Sequence, residues 1–212
     1  MTEPPYRLAL FDFDGTLADT LPWFSGVLDG VAERYRFRRV EAGEAERLRG
    51  MDARAIVAHL GIPRWKLPLI GRHMHALMAR DIAGVRLFPG IGAMLRDVER
   101  AGIGLGLVSS NTEANVRRVL GSEAALVRHW SCGASVFGKA RRLRAVIRAA
   151  GVAPGAVVAV GDEIRDAQAA AEAGCAFAAV AWGYTRPEAL AACAPVRLFD
   201  APSEITRFLA PR

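Results

Sequence analysis

The stretch Leu8-Ala9-Leu10-Phe11-Asp12-Phe13-Asp14-Gly15-Thr16 is four apolar residues running straight into two carboxylates, two positions apart. A continuous apolar run of this length reads as a parallel strand covered on both faces. Alternate strand residues point to the same side, so Asp12 and Asp14 can face one site at the strand end, while Gly15 supplies a turn. Thr16 offers a hydroxyl to hold that turn or one of the acids. Acids are almost never buried without a partner, so the pair calls for a cation, a ligand or a proton. Alone, the stretch also fits an ordinary Asp-Gly turn.

Working outward, similar apolar runs recur at residues 103–108, 157–160 and 176–180, each separated from the next by helix-like sequence. The helical segments 94–101, 141–150 and 167–173 each stop at a glycine, at Gly102, Gly151 and Gly174, where a left-handed cap would sit. Alternating strands and helices predict an α/β fold, a Rossmann-like open and mostly parallel sheet flanked by helices. From about Leu21 to Val85 no strand is evident. Those roughly 65 residues carry helix-like segments at Val27 to Phe37, Ala53 to Leu60 and Leu67 to Ile82, and they exceed an ordinary crossover. The expected organisation is a core of residues 1–20 and 86–212 with a helical cap at 21–85, placed over the ligand-binding edge of the sheet.

Composition narrows the function. Hydrophobic residues make up 52% of the 212 residues, yet no run reaches the eighteen or so that a membrane helix needs, and the N-terminus MTEPPYRL lacks signal-peptide features. A cytoplasmic protein without a membrane partner is expected. The net charge of +6 comes from basic residues spread along the chain, which favours a small anionic substrate over nucleic acid. Three widely spaced cysteines form no C-x-x-C pair, and His73 and His75 would lie on different faces of a helix, so no transition-metal site is legible. Only two of the 28 basic residues are lysines, Lys66 and Lys139, which makes each lysine informative.

Three further stretches carry possible chemistry. Ser109-Ser110-Asn111-Thr112 follows the second strand, where hydroxyls and amides can hold phosphate oxygens or simply cap a helix. Lys139 opens a helix against the dipole, which prefers acids there. Gly161-Asp162-Glu163-Ile164-Arg165-Asp166 ends another strand in acids, with Asp162 a candidate cap and Asp166 four residues on. Three or four acids converging on one sheet edge need positive charge between them, and Mg²⁺ favours oxygen ligands.

Taken in order, Asp12-Phe13-Asp14-Gly15-Thr16, Ser109, Lys139 and Gly161-Asp162 through Asp166 resemble the four motifs of the haloacid dehalogenase-like superfamily of phosphohydrolases. Phe88-Pro89-Gly90, Ser109-Ser110-Asn111, Phe137-Gly138-Lys139 and Trp182-Gly183-Tyr184 look most like its phosphoglycolate phosphatase-like branch. The resemblance implies a phosphatase acting on a small phosphorylated metabolite, with Asp12 as nucleophile and Asp14 as proton carrier. It implies Mg²⁺ held by Asp12, the Asp14 backbone carbonyl and Asp162. Ser109, with Ser110 as the one-residue alternative, Asn111 and Lys139 would bind the phosphoryl group, and Glu163 and Asp166 would orient Lys139 or the metal site. Arg49, in the cap stretch Leu48-Arg49-Gly50-Met51-Asp52, would meet a substrate anion or lie solvated at a helix end. A phosphosugar mutase of the same superfamily, a receiver module and a non-catalytic protein on the same fold are the rival readings. The receiver disagrees with the length, the helical insertion and the second acid.

Overall fold

The computed structural model describes residues 6–41, 43–133 and 138–210. Six parallel strands, β1 (Leu8–Phe11), β2 (Gly104–Val108), β3 (His129–Ser131), β4 (Val157–Gly161), β5 (Ala176–Val180) and β6 (Arg197–Phe199), form one open sheet in the order β3-β2-β1-β4-β5-β6. This is the expected α/β architecture. Because β1 pairs with both β2 and β4, the chain order reverses beside it. Open parallel sheets bind ligands outside the carboxyl ends of strands at such a reversal, and Asp12 and Asp162 emerge there.

Four consecutive buried residues make β1 a fully covered strand. Ala9 and Phe11 join one apolar cluster, on the face covered by α5 (Ile91–Arg100) and α10 (Pro202–Leu209); Leu8 and Leu10 join the other, under α7 (Lys139–Ala150) and α8 (Ile164–Ala173). Burial of Ile91, Met94, Leu95 and Val98 repeats at helical spacing in α5. On the other face, Ala167, Ala170 and Ala173 of α8 let α7 approach closely. The glycines of β2 belong to the same packing: a Cβ at Gly106 would lie 2.5 Å from Leu10 Cδ2, so the neighbouring leucine occupies the space that a side chain would need.

Among the described residues of 21–84 the elements are helices and no strand: α1 (Leu21–Tyr35), α2 (Ala45–Leu48), α3 (Ala53–His59) and α4 (Leu67–Asp81), with short 3-10 turns after α3 and α4. The sequence pattern showed three of these four; α2, four residues rich in charge, was too short to show a period. The entry and exit of the segment are tied together, with Asp19 N–H donating to Arg86 O at 2.9 Å and Phe88 N–H to Leu17 O at 3.0 Å. Met78, Ile82 and Val85 then bury in the same cluster as Phe11 and α5, so the end of the segment packs into the body of the protein. Glu113–Leu120 forms α6 and Pro187–Ala191 forms α9. Among the described residues, no helix is long and apolar enough to cross a membrane.

Candidate active site

Asp12 leaves β1 with 3% exposure. Its Oδ1 accepts from the Phe13 N–H at 2.7 Å. Among the described residues the Lys139 ammonium stands against the buried Oδ2, in an ion pair at 2.7 Å. The same ammonium donates to Asp166 Oδ1 at 2.6 Å. Lys139 is the first residue of α7, and these two carboxylates explain a cation at a position that the helix dipole disfavours. Burial alone would lower its pKa, but the charges of Asp12 and Asp166 outweigh burial and raise it. For Asp12 the balance falls the other way: burial raises its pKa by more than Lys139 lowers it.

The helix after β4 is capped by Glu163 rather than Asp162. Asp166 Oδ2 reaches back to accept from the Asp162 and Glu163 N–H groups, both at 3.1 Å. Asp162 is thereby released to face the site. Its Oδ1 accepts from Thr16 Oγ1 at 2.6 Å and its Oδ2 from the Tyr184 N–H at 2.8 Å. Thr16 thus holds an acid, as expected, but one on the neighbouring strand. Gly15, with φ of 75°, makes the turn, and a Cβ there would lie 2.3 Å from Asp162 Oδ2. Burial, followed by the Glu163, Asp166 and Asp12 charges, pushes Asp162 well above the usual carboxylate range.

Asp14 turns away from this group. Asn111 Nδ2 donates to its Oδ1 at 3.2 Å, and burial together with the Asp12 charge pushes its pKa up to about 7. Asn111 is itself held, its Oδ1 accepting from the Thr112 N–H at 2.8 Å and Asn115 Nδ2 at 3.1 Å. The Asn111 amide thus has one contact on Asp14. Ser109 is buried and its Oγ accepts from the Asn111 N–H at 3.0 Å, while Ser110 is half-buried. Arg142 Nη1 donates to the carbonyls of Ser109 and Ser131, both at 3.0 Å, and so fixes the loop. His73 and His75 do point apart: the His73 ring lies tilted against Tyr35 with centroids 5.6 Å apart, and His75 meets the Ser110 backbone. Phe137 lies outside the described residues.

Sequence reading missed two participants. Arg165, between the motif acids, pairs with Glu163 Oε1 at 2.5 Å, and its charge lowers the pKa values of both Asp12 and Glu163. Tyr184 supplies the amide that holds Asp162; its side chain gives no hint of a backbone donor, although its stretch entered the resemblance. Arg49 is not aimed at the acids: it grips the loop that carries Tyr184, Nε donating to Tyr184 O at 3.0 Å.

Oxygens of Asp12, Asp162 and Asp166 lie within 4.8 Å of one another. An all-oxygen donor set suits a hard divalent cation such as Mg²⁺, and the buried Asp12 and Asp162 carboxylates bring negative charge that such an ion would balance. Asp162 retains a lone pair on each oxygen. Asp166 takes Lys139 on Oδ1 and two amides on Oδ2, which suits it to anchor the lysine.

The fold and this acidic site define a haloacid dehalogenase-like hydrolase: the family model so described matches residues 9–180, and the chain belongs to that family. It is an enzyme of the phosphatase type. The chain is 29% identical over 198 residues to a phosphoglycolate phosphatase from Synechococcus elongatus, covering 92% of this chain and 93% of that one. It is 29% identical over 202 residues to the N-acetylmuramic acid 6-phosphate phosphatase of Pseudomonas putida, 86% of each chain being covered. A solved structure from Lactobacillus plantarum shares the fold with a TM-score of 0.80 and 22% identity, across 96% of this chain and 99% of that one.

Proposed function

We propose that the protein is a Mg²⁺-dependent, cytoplasmic phosphatase that hydrolyses a small phosphomonoester through an aspartyl-phosphate on Asp12. The observation that carries this reading is Asp12 Oδ2, a buried carboxylate oxygen paired at 2.7 Å with the Lys139 ammonium at the reversal of the sheet. Such an oxygen is desolvated and oriented, as a nucleophile must be.

An Asp12 oxygen attacks phosphorus as the bond from phosphorus to the ester oxygen breaks. Asp14 delivers a proton to the departing alcohol, then takes one from the water that attacks the aspartyl-phosphate. A pKa of about 7 suits a group that must act as acid and base in turn near neutrality. Asn111, held by Asn115 and Thr112, keeps the Asp14 carboxyl in place. Lys139 and the Ser109 hydroxyl meet the phosphoryl oxygens as charge builds there, with Asp166 anchoring the ammonium. Mg²⁺ would be held by Asp12, Asp162 and the Asp14 carbonyl, and supplies the charge neutralisation that lets an anionic carboxylate approach an anionic ester. Residues 21–85 serve as a cap over this edge, excluding water and selecting the alcohol half of the substrate.

The relatives' names supply two probes, phosphoglycolate and N-acetylmuramic acid 6-phosphate, alongside p-nitrophenyl phosphate. Inorganic phosphate is expected from at least one ester in Mg²⁺, falling by a factor on the order of 10² or more after chelation. Release that is undiminished by chelation would contradict the proposal.

A further inference from the structure

Tyr184 lies where the helical segment, the loop after β5 and the acidic cluster meet. Its N–H donates to Asp162 Oδ2 at 2.8 Å, its hydroxyl is 3.0 Å from Thr20 Oγ1, and the Phe24 ring of α1 packs edge-on at 5.7 Å. Its carbonyl accepts from Arg49 Nε at 3.0 Å, and the adjacent Gly183 carbonyl accepts from Arg49 Nη2 at 3.2 Å. The clasp is reciprocal, because the Arg186 N–H donates to Arg49 O at 2.9 Å. Gly183 permits this closeness: a Cβ there would lie 2.2 Å from Asp162 Cβ. One guanidinium at the end of α2 thus grips two successive carbonyls of the loop, and the amide between them orients Asp162.

We propose that Arg49 is a positioning residue for the acidic cluster: by holding the Gly183 and Tyr184 carbonyls it sets the Tyr184 N–H that orients Asp162, so that seating of the helical segment and the geometry of this carboxylate are coupled. The guanidinium is planar and presents Nε and Nη2 as a fork, which an ammonium cannot reproduce. The fully buried Asp162 carboxylate takes its hydrogen bonds, among the described residues, from that amide and from Thr16, while its backbone carbonyl accepts from the Thr185 N–H at 3.3 Å. Loss of the grip frees the loop and lets the carboxylate turn. The metal half of this inference rests on the function proposed above; the loop half does not.

Arg49→Ala and Arg49→Lys test it, since a side chain 31% exposed can be removed without emptying the core. In the metal-free protein, hydrogen exchange of residues 182–186 is expected to speed up about tenfold in both variants while exchange in α5 and α10 is unchanged. Mn²⁺, titrated as a spectroscopic probe for the Mg²⁺ site, is expected to bind about tenfold more weakly. The KM for p-nitrophenyl phosphate at saturating metal should stay where it is. Unchanged loop exchange overturns the proposal, as does faster exchange with unaltered Mn²⁺ affinity. A raised KM with both of these unmoved would make Arg49 a substrate contact instead. Wild-type protein that binds no Mn²⁺ would refute the metal-dependent function, and the exchange comparison would still decide whether Arg49 holds the loop.

Discussion

Asp12→Asn is expected to abolish turnover, lowering kcat by a factor on the order of 10⁴ or more, while making the metal-free protein more resistant to heat. The activity loss follows from chemistry: an amide oxygen does not form the phosphoryl bond, and removing one member of a concerted catalytic group forfeits most of what the group achieves together. The stability gain follows from burial. Asp12 and Asp14 both hold their protons to higher pH in the folded protein than in the unfolded chain, in each case chiefly because burial disfavours the charged form. A raised carboxylate pKa destabilises the fold as pH rises, because the unfolded chain ionises first. For Asp14 that loss builds between pH 3.8 and about 7. Asparagine at position 12 removes one such group and the repulsion it exerts on Asp14. Thermal unfolding of wild type and variant in chelator, followed from pH 5 to pH 8, should show the wild type losing stability with rising pH and the variant losing less. Equal slopes would show that Asp12 is not the destabilising charge.

Lys139→Met should fail in both respects. The ammonium is the shared partner of Asp12 and Asp166, at 2.7 and 2.6 Å, and only 14% of its side chain is exposed. Deleting one side of a buried ion pair leaves uncompensated charge and costs about 3–5 kcal/mol. Protonation of Asp12 limits that cost at low pH, so the destabilisation is expected to be larger at pH 8 than at pH 5.5. Catalytically, a positive charge aimed at the phosphoryl oxygens disappears, and kcat should fall by about 10³. Denaturant unfolding at the two pH values, with phosphate release at temperatures where the variant remains folded, separates the two effects. A variant of wild-type stability would mean that Lys139 is not the clamp described here.

Much of this site was legible because its parts are side chains placed at the ends of apolar runs. Leu8 to Phe11 and residues 157–160 read as covered strands, so the acids that follow them had to meet at one sheet edge. The scarcity of lysine singled out Lys139, and its place against the helix dipole is resolved by the two acids it bridges. What escaped reading was held by backbone or by geometry. The Tyr184 amide orients Asp162, yet no residue type announces a backbone donor. Asn111 reads as a phosphate ligand, and its contact with Asp14, a pairing across 97 positions of sequence, was not legible. Arg49 carried no compositional signal among so many arginines, and apart from Glu46 on its own helix its partners are main-chain carbonyls. The strand β3 was invisible for a different reason: His129-Trp130-Ser131 is a short, half-buried edge strand with no apolar run to mark it.

The central claim is that Asp12 carries the phosphoryl group, and chemical trapping tests it most directly. In Asp14→Asn, p-nitrophenyl phosphate needs no acid for its leaving group, so the covalent step proceeds while hydrolysis of the intermediate stalls. Acid quenching followed by borohydride reduces an aspartyl-phosphate to homoserine, and peptide mass spectrometry locates it. Homoserine at position 12, present only in samples given the ester, is the expected result; nitrophenol release with aspartate 12 unaltered, or homoserine at another aspartate, would contradict the account.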